Sequence, residues 1–180
     1  MDAYRTNWVF IKIETSEEIH GVGEVTLEMR EKTVKKAVEE IERYLKGRNP
    51  HDIESIWHDV YRDAYWRGGP VLMSALAGVE MALWDIKGKD LNVPVYTLLG
   101  GRVRNSVPCY ANGWFSGAKL PEEFAEKARL AREKGYSALK WDPFGNSYMN
   151  LSKKEFNQAI DCIKAVNDTV GNDLYLIIEG

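Results

Sequence analysis

Between Asn7 and Thr15 apolar side chains (Trp8, Phe10, Ile11, Ile13) are set among polar ones in near alternation, and Ser16-Glu-Glu-Ile-His-Gly-Val-Gly-Glu24 follows. A period of two predicts a half-buried strand, and the turn-rich continuation predicts a second short strand, hence an antiparallel hairpin. After a loop over residues 24–30 the period changes to that of a helix. Val34, Ala37, Val38, Ile41 and Leu45 predict a helix over 31–46 with Gly47 as its stop. A second helix opens near Asn49-Pro-His-Asp52 and turns Ile53, Ile56, Trp57, Val60, Tyr61 and Ala64 inward before Arg67-Gly-Gly-Pro70. The third, over 71–87, carries the stripe Leu72, Ala75, Leu76, Val79, Leu83 and Ile86. Ala77, Gly78, Met81 and Ala82 keep its other side small or apolar, so packing over most of its circumference is expected. A short helix over 95–99 ends at Gly100-Gly101.

Beyond Arg104 the grammar is different. Residues 107–112 read as a short strand, 121–134 as a helix with proline first and Gly135 last, and 136–142 as a strand. Ser152-Lys-Lys-Glu155 is a capping box, and the helix behind it should turn Phe156, Ile160, Ile163 and Val166 inward. Residues 174–179 form a third strand. Strand, helix, strand, helix, strand at this spacing predicts parallel pairing with right-handed crossovers. A last strand at an open edge leaves backbone groups unpaired, so the chain is expected to be part of something larger.

The strand over 136–142 carries charge where little is expected. Lys140 and Asp142, two residues apart, point to one side, and Leu139 and Trp141 point to the other. Pro143 ends the strand, so the charges lie at its carboxyl end, where parallel sheets and barrels build their sites. Glu179 ends the third strand in the same way. A solvated rim is the plain alternative for all three. For Glu80 and Asp85 on the third helix, capping or ion pairing is the better reading than catalysis. Trp57, Tyr61, Tyr65 and Trp66 have the spacing of packing between helices.

Composition narrows the function classes. Of 180 residues, 44% are hydrophobic and 28% charged, with a net charge of −3, and basic residues are scattered among acids. A nucleic-acid surface is therefore not expected, nor a membrane span, and the binding of a small molecule is. Cys109 and Cys162 have no metal-type spacing and read as reduced thiols of a cytoplasmic protein. His20, His51 and His58 are isolated along the chain, with no local metal-site spacing.

Several strings resemble one known group. Gly78-Val-Glu-Met-Ala-Leu-Trp-Asp-Ile-Lys-Gly-Lys89 and Val93-Pro-Val-Tyr-Thr-Leu-Leu-Gly-Gly101 are similar to the mandelate racemase and muconate-lactonizing branch of the enolase superfamily. Val107-Pro-Cys-Tyr-Ala-Asn-Gly-Trp114 and Leu139-Lys-Trp-Asp-Pro-Phe-Gly145 resemble the archaeal gluconate/galactonate dehydratases of that branch. The resemblance implies an α+β capping domain, residues 1–104, followed over 105–180 by the first βαβαβ part of a modified TIM barrel, an incomplete barrel. It implies that the first capping strand should precede Asn7, and that the chain is truncated at both ends.

The resemblance also implies chemistry. Such enzymes remove the proton α to a carboxylate with the help of Mg²⁺, and loss of the β-hydroxyl then yields a 2-keto-3-deoxy acid. Glu179 falls where the family has its first metal carboxylate. Lys140 matches the first lysine of the Lys-x-Lys element and is expected to neutralise the substrate carboxylate. Asp142 stands where racemases carry a second lysine, so a lysine base on that face is not expected. The remaining ligands, base and acid of the family fall beyond Gly180, so the 180-residue chain is not expected to be active alone. The expected ligand is an aldonic acid and the expected assembly a homo-oligomer. Alternatives are another enzyme of the branch, or a non-catalytic fragment acting with a complementary chain.

Overall fold

The computed structural model describes residues 7–147 and 149–179. The stretch ahead of Asn7, where a first capping strand was expected, lies outside them. The chain divides into two compact units, Met1–Val103 and Arg104–Gly180.

In the first unit β1 (Phe10–Glu14) and β2 (His20–Glu24) form an antiparallel hairpin with Ile11 opposite Gly23 and Ile13 opposite Gly21. Helices α1 (Glu31–Ile41), α2 (Ile53–Asp63), α3 (Pro70–Asp90) and the single turn α4 (Val95–Leu98) follow. The core is where α3 meets the other elements: Val34, Ile41, Ile56, Val79, Leu83 and Ile86 are all buried there. The hairpin lies directly on the α3 backbone. A Cβ added to Gly23 would stand 1.9 Å from the Gly78 carbonyl oxygen, and one on Gly21 1.9 Å from that of Ala82. Small residues on both sides allow this approach. A bulkier pair would lift the sheet off the helix.

Three expectations change here. The helix predicted to reach residue 46 ends at Ile41 and tightens into a 3₁₀ turn, Glu42–Tyr44, before Gly47 at φ 73°. The Leu45 N–H bonds to Glu42 O at 3.0 Å, the i to i−3 pattern common where a helix runs out. Leu72, placed in the inward stripe, is exposed at the start of α3, although between it and Lys89 only Met81 is exposed and the helix is covered around most of its girth as expected. Trp57 stacks on Tyr61 at 4.9 Å, but Tyr65 and Trp66 lie past the end of α2 and are 89% and 81% exposed. The helical spacing that grouped them ends at Asp63.

In the second unit α5 (Pro121–Glu133) leads to β3 (Ala138–Trp141), then α6 (Lys153–Val170), a 3₁₀ turn and β4 (Tyr175–Ile178). β3 and β4 pair in parallel, Leu139 with Leu176 and Trp141 with Ile178. The expected strand over 107–112 contracts to one parallel bridge: Ala111 N–H donates to Ala138 O at 2.8 Å and Lys140 N–H to Ala111 O at 2.9 Å. Pro108 has no N–H to give a ladder, and Val107 and Tyr110 are exposed. Among the described residues the sheet closes no barrel.

One face of this sheet is covered. Leu139 and Trp141 are fully buried among Phe124, Ala128, Cys162 and Val166. The Ser152 capping box forms as expected, with Glu155 N–H donating to Ser152 Oγ at 3.2 Å and Ser152 N–H to Glu155 Oε2 at 2.8 Å. Phe156, however, is exposed. The fully buried face of α6 runs Ala159, Cys162, Val166, Val170, with Ile163 packed against the same core, so Val166 and Ile163 lie inward as expected and the stripe is offset from Phe156. Cys109 is exposed and Cys162 buried, both free.

Candidate functional site at the strand ends of the second unit

The pairing of β3 with its neighbours decides which side chains share the open face. Ala111 is opposite Leu139 and Lys140 is opposite Ile177. By alternation Tyr110 and Asn112, Lys140 and Asp142, and Ile177 and Glu179 all fall on the side away from α5 and α6. Glu179 N–H donates to Trp141 O at 3.0 Å, which extends the ladder one step past β4 and sets Glu179 level with the end of β3.

On this face Lys140 Nζ lies 2.8 Å from Glu179 Oε1. The Lys140 side chain is 22% exposed and that of Glu179 57%, so the pair sits at the rim with its ammonium the better covered member. The hydrogen bond to Glu179 raises the Lys140 pKa above the usual lysine value; partial burial works against this, and the charge of Glu179 adds to it. The ammonium also lies 5.9 Å from the centre of the Tyr110 ring, within cation–π range. Asp142 is exposed, and its Oδ1 accepts the Phe144 N–H at 2.7 Å, forming the Asx-type turn that carries the chain out of the strand past Pro143. Lys140 and Glu179 are thus brought into contact, and Asp142 shares their face while bonded to its own turn.

Tyr110 is the residue that sequence reasoning passed over. It sits in an irregular stretch, and only the Ala111 bridge places it beside Lys140. Trp114 belongs to the same framework, its Nε1 donating to Lys140 O at 3.0 Å. Residues elsewhere that invited a catalytic reading have structural partners. Asp85 Oδ2 accepts the Val22 N–H at 2.9 Å and pairs with Lys89 at 2.7 Å, and Trp84 Nε1 donates to Glu80 at 3.3 Å. His51, isolated along the chain, meets Asp90 at 3.0 Å. Among the described residues no three His, Cys, Asp or Glu side chains cluster as a metal site, and no helix is long and apolar enough to cross a membrane.

A hairpin packed on helices, followed by parallel strands with charged groups at their carboxyl ends, defines the class. Residues 3–100 match the family described as mandelate racemase / muconate lactonizing enzyme, N-terminal domain, and the chain belongs to that family. It is 38% identical over 172 residues to a D-gluconate dehydratase of Thermoproteus tenax, covering 95% of this chain and 35% of that enzyme. It is 41% identical over 167 residues to a D-galactonate dehydratase of Klebsiella pneumoniae (strain 342), covering 93% of this chain and 43% of the relative. A member of the enolase superfamily from Salmonella Typhimurium superposes with a TM-score of 0.91 at 31% identity, over 100% of this chain and 52% of that one. The chain therefore spans about half or less of the length of these relatives. Its architecture is the α+β capping domain of the enolase superfamily followed by the first parallel part of the barrel.

Proposed function

We propose that this chain forms part of a sugar-acid dehydratase that removes the proton α to a carboxylate and expels the β-hydroxyl as water, giving a 2-keto-3-deoxy acid. The observation that carries this reading is the Lys140–Glu179 contact at the carboxyl end of the parallel strands, in a chain whose relatives are named as gluconate and galactonate dehydratases. Lys140 supplies a fixed cation for the carboxylate of an aldonic acid. Neutralising that carboxylate weakens the adjacent C–H bond toward proton loss, because a second negative charge beside an unneutralised carboxylate is strongly disfavoured. Asp142 shapes the rim through its turn.

Mg²⁺ suits the donor type but not the donor number found here. Glu179 is a hard, accessible oxygen ligand, whereas Mg²⁺ takes six oxygens and no group of three or more His, Cys, Asp or Glu side chains gathers as a metal site among the described residues. Glu179 would be one ligand of such an ion, which when bound would supply charge stabilisation at the substrate carboxylate. In this reading the protein works in the cytoplasm as a homo-oligomer on a small-molecule acid.

The test is incubation of the purified protein with Mg²⁺ and a panel of aldonic acids, followed by assay for 2-keto-3-deoxy acids. Product from gluconate or galactonate that disappears in Lys140→Met supports the reading. Product formation that Lys140→Met leaves unchanged removes Lys140 from it.

A further inference from the structure

Lys140 is held from two sides. Glu179 takes one of the three N–H donors of its ammonium at 2.8 Å, and the face of Tyr110 lies 5.9 Å from Nζ on another side. Tyr110 is itself 49% exposed and is not part of the core. The backbone explains why the two meet. The Lys140 N–H to Ala111 O bond at 2.9 Å locks the residue after Tyr110 against Lys140, and alternation then sends both side chains to the open face. Among the described residues the ladder on that side of β3 is this one bridge, so a single aromatic side chain supplies the wall that a full neighbouring strand would provide.

We infer that Tyr110 is a positioning residue, whose ring holds the Lys140 ammonium with a free donor directed away from Glu179, toward the carboxylate of an acidic ligand. This rests on the aldonate reading of Lys140. A long lysine side chain has rotamer freedom to lose, so an ammonium already confined by a carboxylate and a ring binds an anion at lower entropic cost. The ring face supplies the confinement and the phenolic hydroxyl is dispensable. Phenylalanine should replace Tyr110, and leucine should not.

Solution NMR on the protein with ¹³C-labelled lysine tests this, with Lys140→Arg identifying the Lys140 signals. The Lys140 ε-methylene protons are expected upfield of those of the other lysines, from the ring current of Tyr110. Tyr110→Phe should keep the displacement and Tyr110→Leu should abolish it, with the backbone amide spectrum confirming that both variants fold. Titration with D-gluconate in the presence of Mg²⁺, read on the same signals, should show affinity lowered by about threefold or more in Tyr110→Leu and held within about twofold in Tyr110→Phe. An undisplaced Lys140 signal in the wild-type protein overturns the inference. So does gluconate binding that Tyr110→Leu leaves intact, which spares the aldonate reading. A wild-type protein that binds no gluconate overturns that reading and the inference together.

Discussion

The two units solve the same problem, covering a small sheet, in opposite ways. In the first, the hairpin lies so close to α3 that Gly21 and Gly23 face backbone carbonyls, and Asp85 on the helix accepts a hydrogen bond from the β2 backbone. In the second, helices cover one face of β3 and β4 with Leu139 and Trp141 at the centre, while the other face keeps Tyr110, Lys140 and Glu179 together. Close backbone approach leaves no room for chemistry. An open face with a buried counterpart can hold charged groups in water's reach on a rigid base, which is why the candidate site belongs to the second unit.

The largest expected effect tests the one-sided core. Trp141 is fully buried and makes edge contact with Trp114 at 5.3 Å, so Trp141→Ala should destabilise the second unit by about 3–5 kcal/mol. Hydrogen exchange in α5 and α6 measures it; unchanged protection there would mean that this unit does not depend on its covered face. Next comes the contact that defines the first unit. Gly23→Ala should cost about 3 kcal/mol, since the new methyl meets the Gly78 carbonyl oxygen at 1.9 Å and a backbone atom cannot swing aside. Urea unfolding followed by the exchange of α3 amides reads this, and a loss under about 1 kcal/mol would show that the hairpin can lift without penalty.

Asp85 sharpens the comparison with a smaller effect. Burial pushes its pKa up, but the hydrogen bond from Lys89, the Val22 N–H and the Lys89 charge together outweigh this and hold it below the usual aspartate value. A depressed folded pKa contributes stability above the unfolded pKa of about 3.9 and loses it as pH falls through the folded value. Asp85→Ala should therefore cost about 1–2 kcal/mol at neutral pH, and the gap to wild type should close as pH drops below about 4. Denaturant midpoints at neutral and acidic pH check both parts. A gap that is constant with pH would show that the carboxylate charge has no role in tying β2 to α3.

Much of this was legible in the residue pattern. Alternation around Phe10–Glu14 gave the hairpin, helical spacing gave α1 to α3, and Ser152 with Glu155 marked the start of α6. The charges at 140 and 179 stood out because they interrupt apolar strands. Two of the misreadings share one cause. Phe156 and the group Tyr65 and Trp66 were assigned inward by spacing alone, yet at the first turn of α6 and beyond α2 these side chains stay exposed among the described residues. Amphipathic period tells which face of an element is apolar, not how far along the element its partner extends.

By itself the sequence determined most of the elements, their order and the side of β3 on which Lys140 and Asp142 stand, because these follow from local geometry with a period of two or 3.6 residues. Only the tertiary structure decided that Lys140 meets Glu179, that Asp142 turns to its own backbone, and that Tyr110 faces the ammonium. Those contacts depend on strand register and on where pairing begins. Register is set by hydrogen bonds such as Lys140 N–H to Ala111 O and by packing between residues distant along the chain, which no one-dimensional period contains.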